Sequence, residues 1–184
     1  IVCNPNAPSG TYIPVEEIAS LADEINGVLL VDEAYVDFAE DNCIRLIEEF
    51  DNIVLLRSMS KGYSLAGIRF GYGIASKNLI DGMMKIKDSY NVDAISIEAA
   101  AAAIKDQEYF KDNVEKIKAG REKLTGELNA LGFKVGKSFT NFLLAQHNDA
   151  KNIYKKLAEK NIFVRYFDHE GLRDKIRITI GTDD

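Results

Sequence analysis

Four groups of residues have types and spacings that could do chemistry. The first is Ser58-Met59-Ser60-Lys61, followed by Gly67, Arg69 and Gly71. Hydroxyls, a lysine and an arginine among small residues make an anion site, to which backbone N–H groups near a helix start would add. The glycine–lysine spacing of a P-loop is absent, and taken alone the segment fits a solvated lysine beside a turn equally well. The second is Asp32-Glu33-Ala34-Tyr35, at the end of an apolar run. An acid there is costly to leave unpaired, so Asp32 either caps the next segment or holds a buried cation or metal. The third is Asn4-Pro5-Asn6-Ala7-Pro8-Ser9-Gly10, which carries two of the three prolines. It reads as a rigid turn or as a fixed loop that aims the Asn4 amide at a ligand oxygen. The fourth is a pair of arginines, Arg165 and Arg177. Arg177 alternates with Ile176 and Ile178, which fits either a solvent-facing strand arginine or a clamp for an anion.

The elements that must position these groups follow from hydrophobic pattern. Residues 27–32 (GVLLVD) and 52–56 (NIVLL) read as fully buried strands of a parallel sheet. Each follows a helical stretch: residues 14–26, with Ile18, Leu21, Ala22 and Ile25 at helical spacing and Pro14 in the first turn, and a shorter one at 43–50. Strands alternating with helices mean an α/β fold. Such sheets bind ligands at the carboxyl ends of their strands, where Asn4, Asp32 and residues 58–61 fall. A strand at 70–75 and helices at 78–87 and 94–104 come next. A long amphipathic helix over 106–131 then ends at Gly132. At 1.5 Å per residue it reaches roughly 40 Å, enough to run between two domains. Strands at 133–135, 141–145, 162–166 and 175–180 and a helix at 150–160 lose the strict alternation. The division expected is a large α/β domain over 1–105 and a small α+β domain over 106–184.

Composition removes other classes. A 46% hydrophobic, 28% charged chain of 184 residues has a real core. The net charge of -6 argues against a general nucleic-acid surface. No apolar run reaches the roughly 18 residues a membrane span needs. Cys3 and Cys43 form no CxxC pair and lean toward a reducing, cytoplasmic setting. His147 and His169 show no metal-ligand spacing, so no metal site is expected. The chain opens without Met on what reads as a strand and stops just after another, so it reads as a fragment.

Taken together, NPNAPSG, then DEAY, then SMSK with an arginine eight residues after its lysine, then IRITIG, resemble the fold-type I pyridoxal-phosphate enzymes of aminotransferase class I/II, in family order and over nearly the whole chain. The stretches DEAYVDF, SKGYSLAGIRFGY and VRYF…IRITIGT look most like the histidinol-phosphate aminotransferases.

The resemblance implies pyridoxal 5'-phosphate as cofactor and a role for each group. Lys61 would be the catalytic residue: it would carry the cofactor aldehyde and, once displaced by substrate amine, move the proton between Cα and the cofactor. Asp32 would pair with the pyridine nitrogen and keep the ring electron-withdrawing. Asn4 and Tyr35 would hydrogen-bond the ring's phenolic oxygen, and Ser58, Ser60 and Arg69 would bind the cofactor phosphate. Arg177 would clamp a substrate carboxylate with Asn141 assisting, and Arg165 would help hold a distal phosphate. Histidinol phosphate has no α-carboxylate, and for it both arginines would serve the phosphate. The partners implied are a small amine and a 2-oxo acid, probed in ping-pong order, and a second copy of the full-length subunit. The Asn4–Pro5 bond would be cis. The ring-stacking aromatic, a glycine-containing phosphate loop and a tyrosine lent by a partner subunit have no counterpart here, so the chain alone is expected to bind cofactor weakly and to turn over poorly, if at all. A threonine-phosphate decarboxylase or an aromatic aminotransferase would share nearly every motif. A non-catalytic assembly module fits less well, because Asp32, Lys61 and Arg69 are intact.

Overall fold

A computed structural model describes residues 1–182. Two four-stranded sheets share one long helix. In the first sheet β1 (Val2–Cys3), β2 (Leu29–Asp32) and β3 (Ile53–Ser58) run parallel, and β4 (Gly71–Ala75) returns antiparallel beside β3. Helix α1 (Val15–Glu24) makes the crossover from β1 to β2. Pro14 stands at its N-cap rather than inside its first turn, where its missing N–H costs nothing. Only Leu46–Glu49 of the predicted 43–50 helix forms regular α-helix, named α2.

One face of this sheet is packed. Leu29, Val31, Ile53 and Leu55 close a core with Val15, Ile18 and Ala22 of α1 and with Cys43 and Leu46. Full burial of both apolar runs, expected from sequence, is not what the structure shows. Leu30 and Asp32 are half-buried, and Leu56 is 37% exposed. A continuous apolar run is suited to a sheet covered on both faces, and among the described residues only one face has such a cover. Helices α3 (Lys77–Met84) and α4 (Ala94–Lys105) follow β4 and leave Met84, Ile86, Ile95 and Ile97 exposed.

Helix α5 (Gln107–Ala130) is the long helix expected from sequence. The Asp106 carboxylate caps it by accepting the Tyr109 N–H, and Gly132, with φ at +88°, turns the chain out of it. Its first turns meet the first unit, where Phe110 stacks on Tyr63 with ring centroids 4.2 Å apart. Its later turns lay Ile117, Leu124 and Leu128 on the second sheet.

That second sheet is antiparallel throughout, in the order β5 (Lys134–Val135), β6 (Phe142–Gln146), β8 (Lys175–Thr179), β7 (Arg165–Tyr166). Helix α6 (Ala150–Glu159) packs on it. Leu143, Ala145, Ala150, Ile176 and Ile180 form its core. The strand predicted over 162–166 is only two residues long, because Ile162 and Phe163 are exposed and unpaired in the ladder. Among the described residues no helix is long and apolar enough to cross a membrane, and no cluster of acids, histidines and cysteines could hold a metal.

Candidate active site

Parallel pairing sets the strand ends level. Cys3 pairs with Asp32 and Asp32 with Leu56. Beyond those ends the Asn4 N–H reaches the Asp32 carbonyl at 2.9 Å and the Glu33 N–H reaches the Leu56 carbonyl at 2.8 Å. Asn4, Asp32 and Ser58 therefore stand along one carboxyl edge of the sheet. The antiparallel β3–β4 ladder continues past Ser58–Gly71 through the Met59 N–H to the Phe70 carbonyl at 3.1 Å. This brings Arg69 back to the same end as Ser60 and Lys61.

Each predicted group has a definite setting there. One Asp32 carboxylate oxygen accepts the Ala34 N–H at 3.0 Å, the capping arrangement, and the carboxylate stays half-buried. Lys61 Nζ stands 5.3 Å from the centroid of the Tyr35 ring, a cation–π distance. Ser58 Oγ accepts the Ser60 N–H at 3.1 Å and pins the turn before the lysine. Arg69 is exposed in the left-handed region (φ 55°), and Nη1 donates to the Ala66 carbonyl at 2.8 Å, leaving the rest of its fork open.

Asn4 differs from the expectation that its amide is aimed at a ligand. It is 1% exposed; its Nδ2 donates to the Ile13 carbonyl at 2.9 Å and its Oδ1 accepts the Ile13 N–H at 2.8 Å. The amide thus closes its own loop by pairing both backbone groups of half-buried Ile13. The Asn4–Pro5 bond is cis, as is Ala7–Pro8. The same loop reaches the second sheet. Phe139 N–H donates to the Gly10 carbonyl at 2.8 Å, and a Cβ on Gly10 (φ +75°) would lie 2.6 Å from Ser138 Oγ.

The arginine pair lies on that second sheet. Arg165 and Arg177 are direct partners in the antiparallel β7–β8 ladder, so their side chains leave the same face. Like charges directly opposite repel, yet both guanidinium carbons lie near the Phe167 ring, at 5.5 and 5.9 Å. Arg177 Nε is buried with no hydrogen-bond partner. An unsatisfied buried donor is a standing cost, and an anion between the two arginines would remove both penalties. Asn141 precedes β6 on a turn fixed by buried Ser138 and Thr140, whose hydroxyls both donate to the Phe142 carbonyl. It holds the Ile180 N–H through its backbone carbonyl, not its amide.

Two aromatic rings join the halves. Tyr35 meets Phe142 edge-on, with centroids 5.2 Å apart at 88°, and the Arg177 guanidinium lies 4.8 Å over the Phe142 ring. A continuous path thus runs from Lys61 through Tyr35 and Phe142 to Arg177. Arg121 of α5 ties the same junction, donating to the Thr140 carbonyl at 2.9 Å and the Phe38 carbonyl at 3.3 Å. Neither Phe142 nor Arg121 lies in any motif, and Phe167 entered only as the end of the VRYF stretch, with no role. The only sequence signal is phase: Phe142 and Arg177 both sit out of step with the core residues of their strands.

A buried charged cluster lies at the ends of β2 and β3. Glu33, 2% exposed, holds Arg57 at 2.8 Å and accepts the Cys43 N–H at 2.6 Å; Arg57 also reaches Asn42. Burial beside Glu33 pushes the Cys43 thiol up to about 12 and keeps it protonated. A cavity of about 650 Å³ lies elsewhere, along α5 between Ser64 and Ile180.

The fold thus gathers Lys61, Asp32, Ser58 and Arg69 at one sheet edge and pairs Arg165 with Arg177 on the second sheet. Residues 1–184 match the family profile "Aminotransferase class I and II", and the chain belongs to that family. It is 50% identical over 185 residues to histidinol-phosphate aminotransferase 1 of Trichormus variabilis, covering 100% of this chain and 53% of that protein. In structure it matches the histidinol-phosphate aminotransferase of Sinorhizobium meliloti, solved with pyridoxal-5'-phosphate, at TM-score 0.91 and 29% identity over 98% of this chain and 52% of that one. It also matches the L-threonine-O-3-phosphate decarboxylase of Porphyromonas gingivalis at TM-score 0.86 and 29% identity, over 99% of this chain and 59% of that one. The chain spans about half the length of the curated relatives it matches.

Proposed function

We propose that this chain forms part of a pyridoxal-phosphate-dependent transaminase acting on histidinol phosphate, with 2-oxoglutarate as amino acceptor. The observation that carries the substrate reading is the Arg165–Arg177 pair: two facing cations, one with a buried unpartnered Nε, joined by ring contacts to Lys61. Their planar forks suit a phosphate monoester.

Bound pyridoxal phosphate would supply an electron-withdrawing ring and an aldehyde. This chain's residues supply the rest. Asp32, with one oxygen on the Ala34 N–H, keeps its other oxygen for a protonated ring nitrogen. Ser58, Ser60 and Arg69 gather at one strand end to hold the cofactor phosphate. Tyr35 orients the ring's phenolic oxygen from beside Lys61. Lys61 would hold the aldehyde, and its amine, once free, would move a proton between the substrate Cα and the cofactor carbon. Asn141 assists Arg177. Asn4 acts mainly by fixing its loop, since its amide is committed to Ile13.

On this reading residues 1–105 are the cofactor-binding unit and 106–184 the substrate-clamping unit. The assembly would be a soluble cytoplasmic homodimer. The threonine-phosphate decarboxylase likeness favours a second reaction on the same site, since its substrate is also a phosphate-bearing amine. Borohydride reduction of the protein with pyridoxal phosphate, followed by peptide mapping, is expected to label Lys61 and to lose that label in Lys61→Ala. Label scattered over surface lysines refutes the cofactor reading. Glutamate formed from histidinol phosphate, against carbon dioxide released from threonine phosphate, decides between the two reactions.

A further inference from the structure

We infer that Asp37 is a positioning residue for Lys61, holding the peptide that carries the lysine by accepting the Gly62 N–H with its carboxylate. Asp37 lies in the 3-10 turn Val36–Phe38, directly after Tyr35. Gly62 follows Lys61 in the turn beyond β3. The two meet closely: a Cβ added to Gly62 would lie 2.8 Å from Asp37 Cγ and 2.9 Å from its Cβ. Only glycine lets the backbone approach so near. The Gly62 N–H favours the charged form of that carboxylate.

The carboxylate is itself held. The ionisable groups acting on it are Arg57 of β3, Glu33 at the end of β2, and Tyr72 of β4. Glu33 already occupies Arg57, at 2.8 Å. The Arg57 charge acts on Asp37 too, but its ion pair is with Glu33, so Asp37 is only partly compensated. Burial pushes its carboxyl up to about 6, against the pull of Arg57 and the Gly62 N–H. Folding would be better served by a neutral group here, and a carboxyl kept at a cost to stability beside a functional turn marks a role in the site. A charged acceptor grips an N–H more firmly than a neutral one does. It fixes the Lys61–Gly62 peptide from below while Ser58 pins the turn from the strand side.

The consequence for chemistry rests on the proposed role of Lys61, but the positioning itself is testable without cofactor. In the full chain, hydrogen exchange at the Gly62 amide is measured from pH 5 to 8 and normalised to the intrinsic rate. At pH 8 its protection is expected to fall about tenfold in Asp37→Asn and further in Asp37→Ala, the size expected for a hydrogen bond to a charged group. The unaltered chain is expected to drop to the Asn level below about pH 6, while Asp37→Asn stays flat with pH. Strands β2 and β3 are expected to keep their protection, and Asp37→Asn to be the more stable protein at pH 8. Unchanged Gly62 protection in both variants, or a loss spread evenly over β2 and β3, overturns the inference. Borohydride trapping on the same proteins separates the two ideas. If Gly62 protection follows Asp37 but the unaltered chain yields no Lys61 adduct, the cofactor reading fails and the positioning of the turn stands.

Discussion

In the first sheet every candidate group stands at or just beyond a strand end, whereas in the second the two arginines stand within a paired ladder. Asp32 closes β2, Ser58 closes β3, and Lys61 lies in the turn after it. Such groups depend on what lies under their turns, here the buried Glu33–Arg57 pair and Asp37. Arg165 and Arg177 depend instead on ladder register, which aligns them across β7 and β8. The first arrangement concentrates charge in the protein interior, and the second sets two cations side by side with the Arg177 Nε unpartnered. A turn built on buried charge is fragile to any loss of a partner. A pleat-borne pair tolerates loss of charge and suffers only in binding.

The sharpest break is expected at Glu33. Its side chain is fully buried and satisfies both Arg57 and the Cys43 N–H. Glu33→Ala leaves both without it and is expected to cost about 3–5 kcal/mol in urea unfolding. Arg177→Met is the contrasting test: it removes an unsatisfied buried Nε, so stability should hold while histidinol-phosphate affinity falls about thirtyfold, roughly 2 kcal/mol. Equal damage to stability and binding would erase the distinction between the sheets. Arg121 bridges them through the Phe38 and Thr140 carbonyls. Arg121→Ala should cost about 1–2 kcal/mol and loosen the 138–142 turn in hydrogen exchange while β2 and β3 stay protected.

The smallest effect is in pH. The Asp37 carboxyl is raised from 3.8 to about 6, so between those values the folded state binds more protons than the unfolded one. Its contribution is full below about 3.8 and is lost as pH rises through about 6. Relative to Asp37→Asn, the unaltered chain should lose about 1 kcal/mol across that window, after discounting for partial exposure. A parallel pH dependence in the two proteins would remove Asp37 from the comparison.

The order of strands and helices, the parallel core of the first sheet and the identity of Lys61, Asp32 and Arg177 as chemically suggestive were readable in the chain. They depend on local pattern: apolar runs, helical spacing, and polar residues at run ends. Other features had no such signature. Whether a sheet face is covered depends on what packs there, and so Leu56 is more exposed than its run implies. Asn4 looked like a ligand group because only the fold brings the Ile13 peptide, nine residues on, to its amide. Phe142 beneath Arg177, Arg121 across to Phe38 and Asp37 beside Gly62 join residues between 25 and 83 positions apart, some of them unlike any motif. The sequence by itself determined which residues could react and which strands must carry them, because periodicity and residue chemistry are local. Only the tertiary structure decided which charges share a partner and which donor is left without one, because burial and pairing are properties of neighbours that the chain supplies from far away.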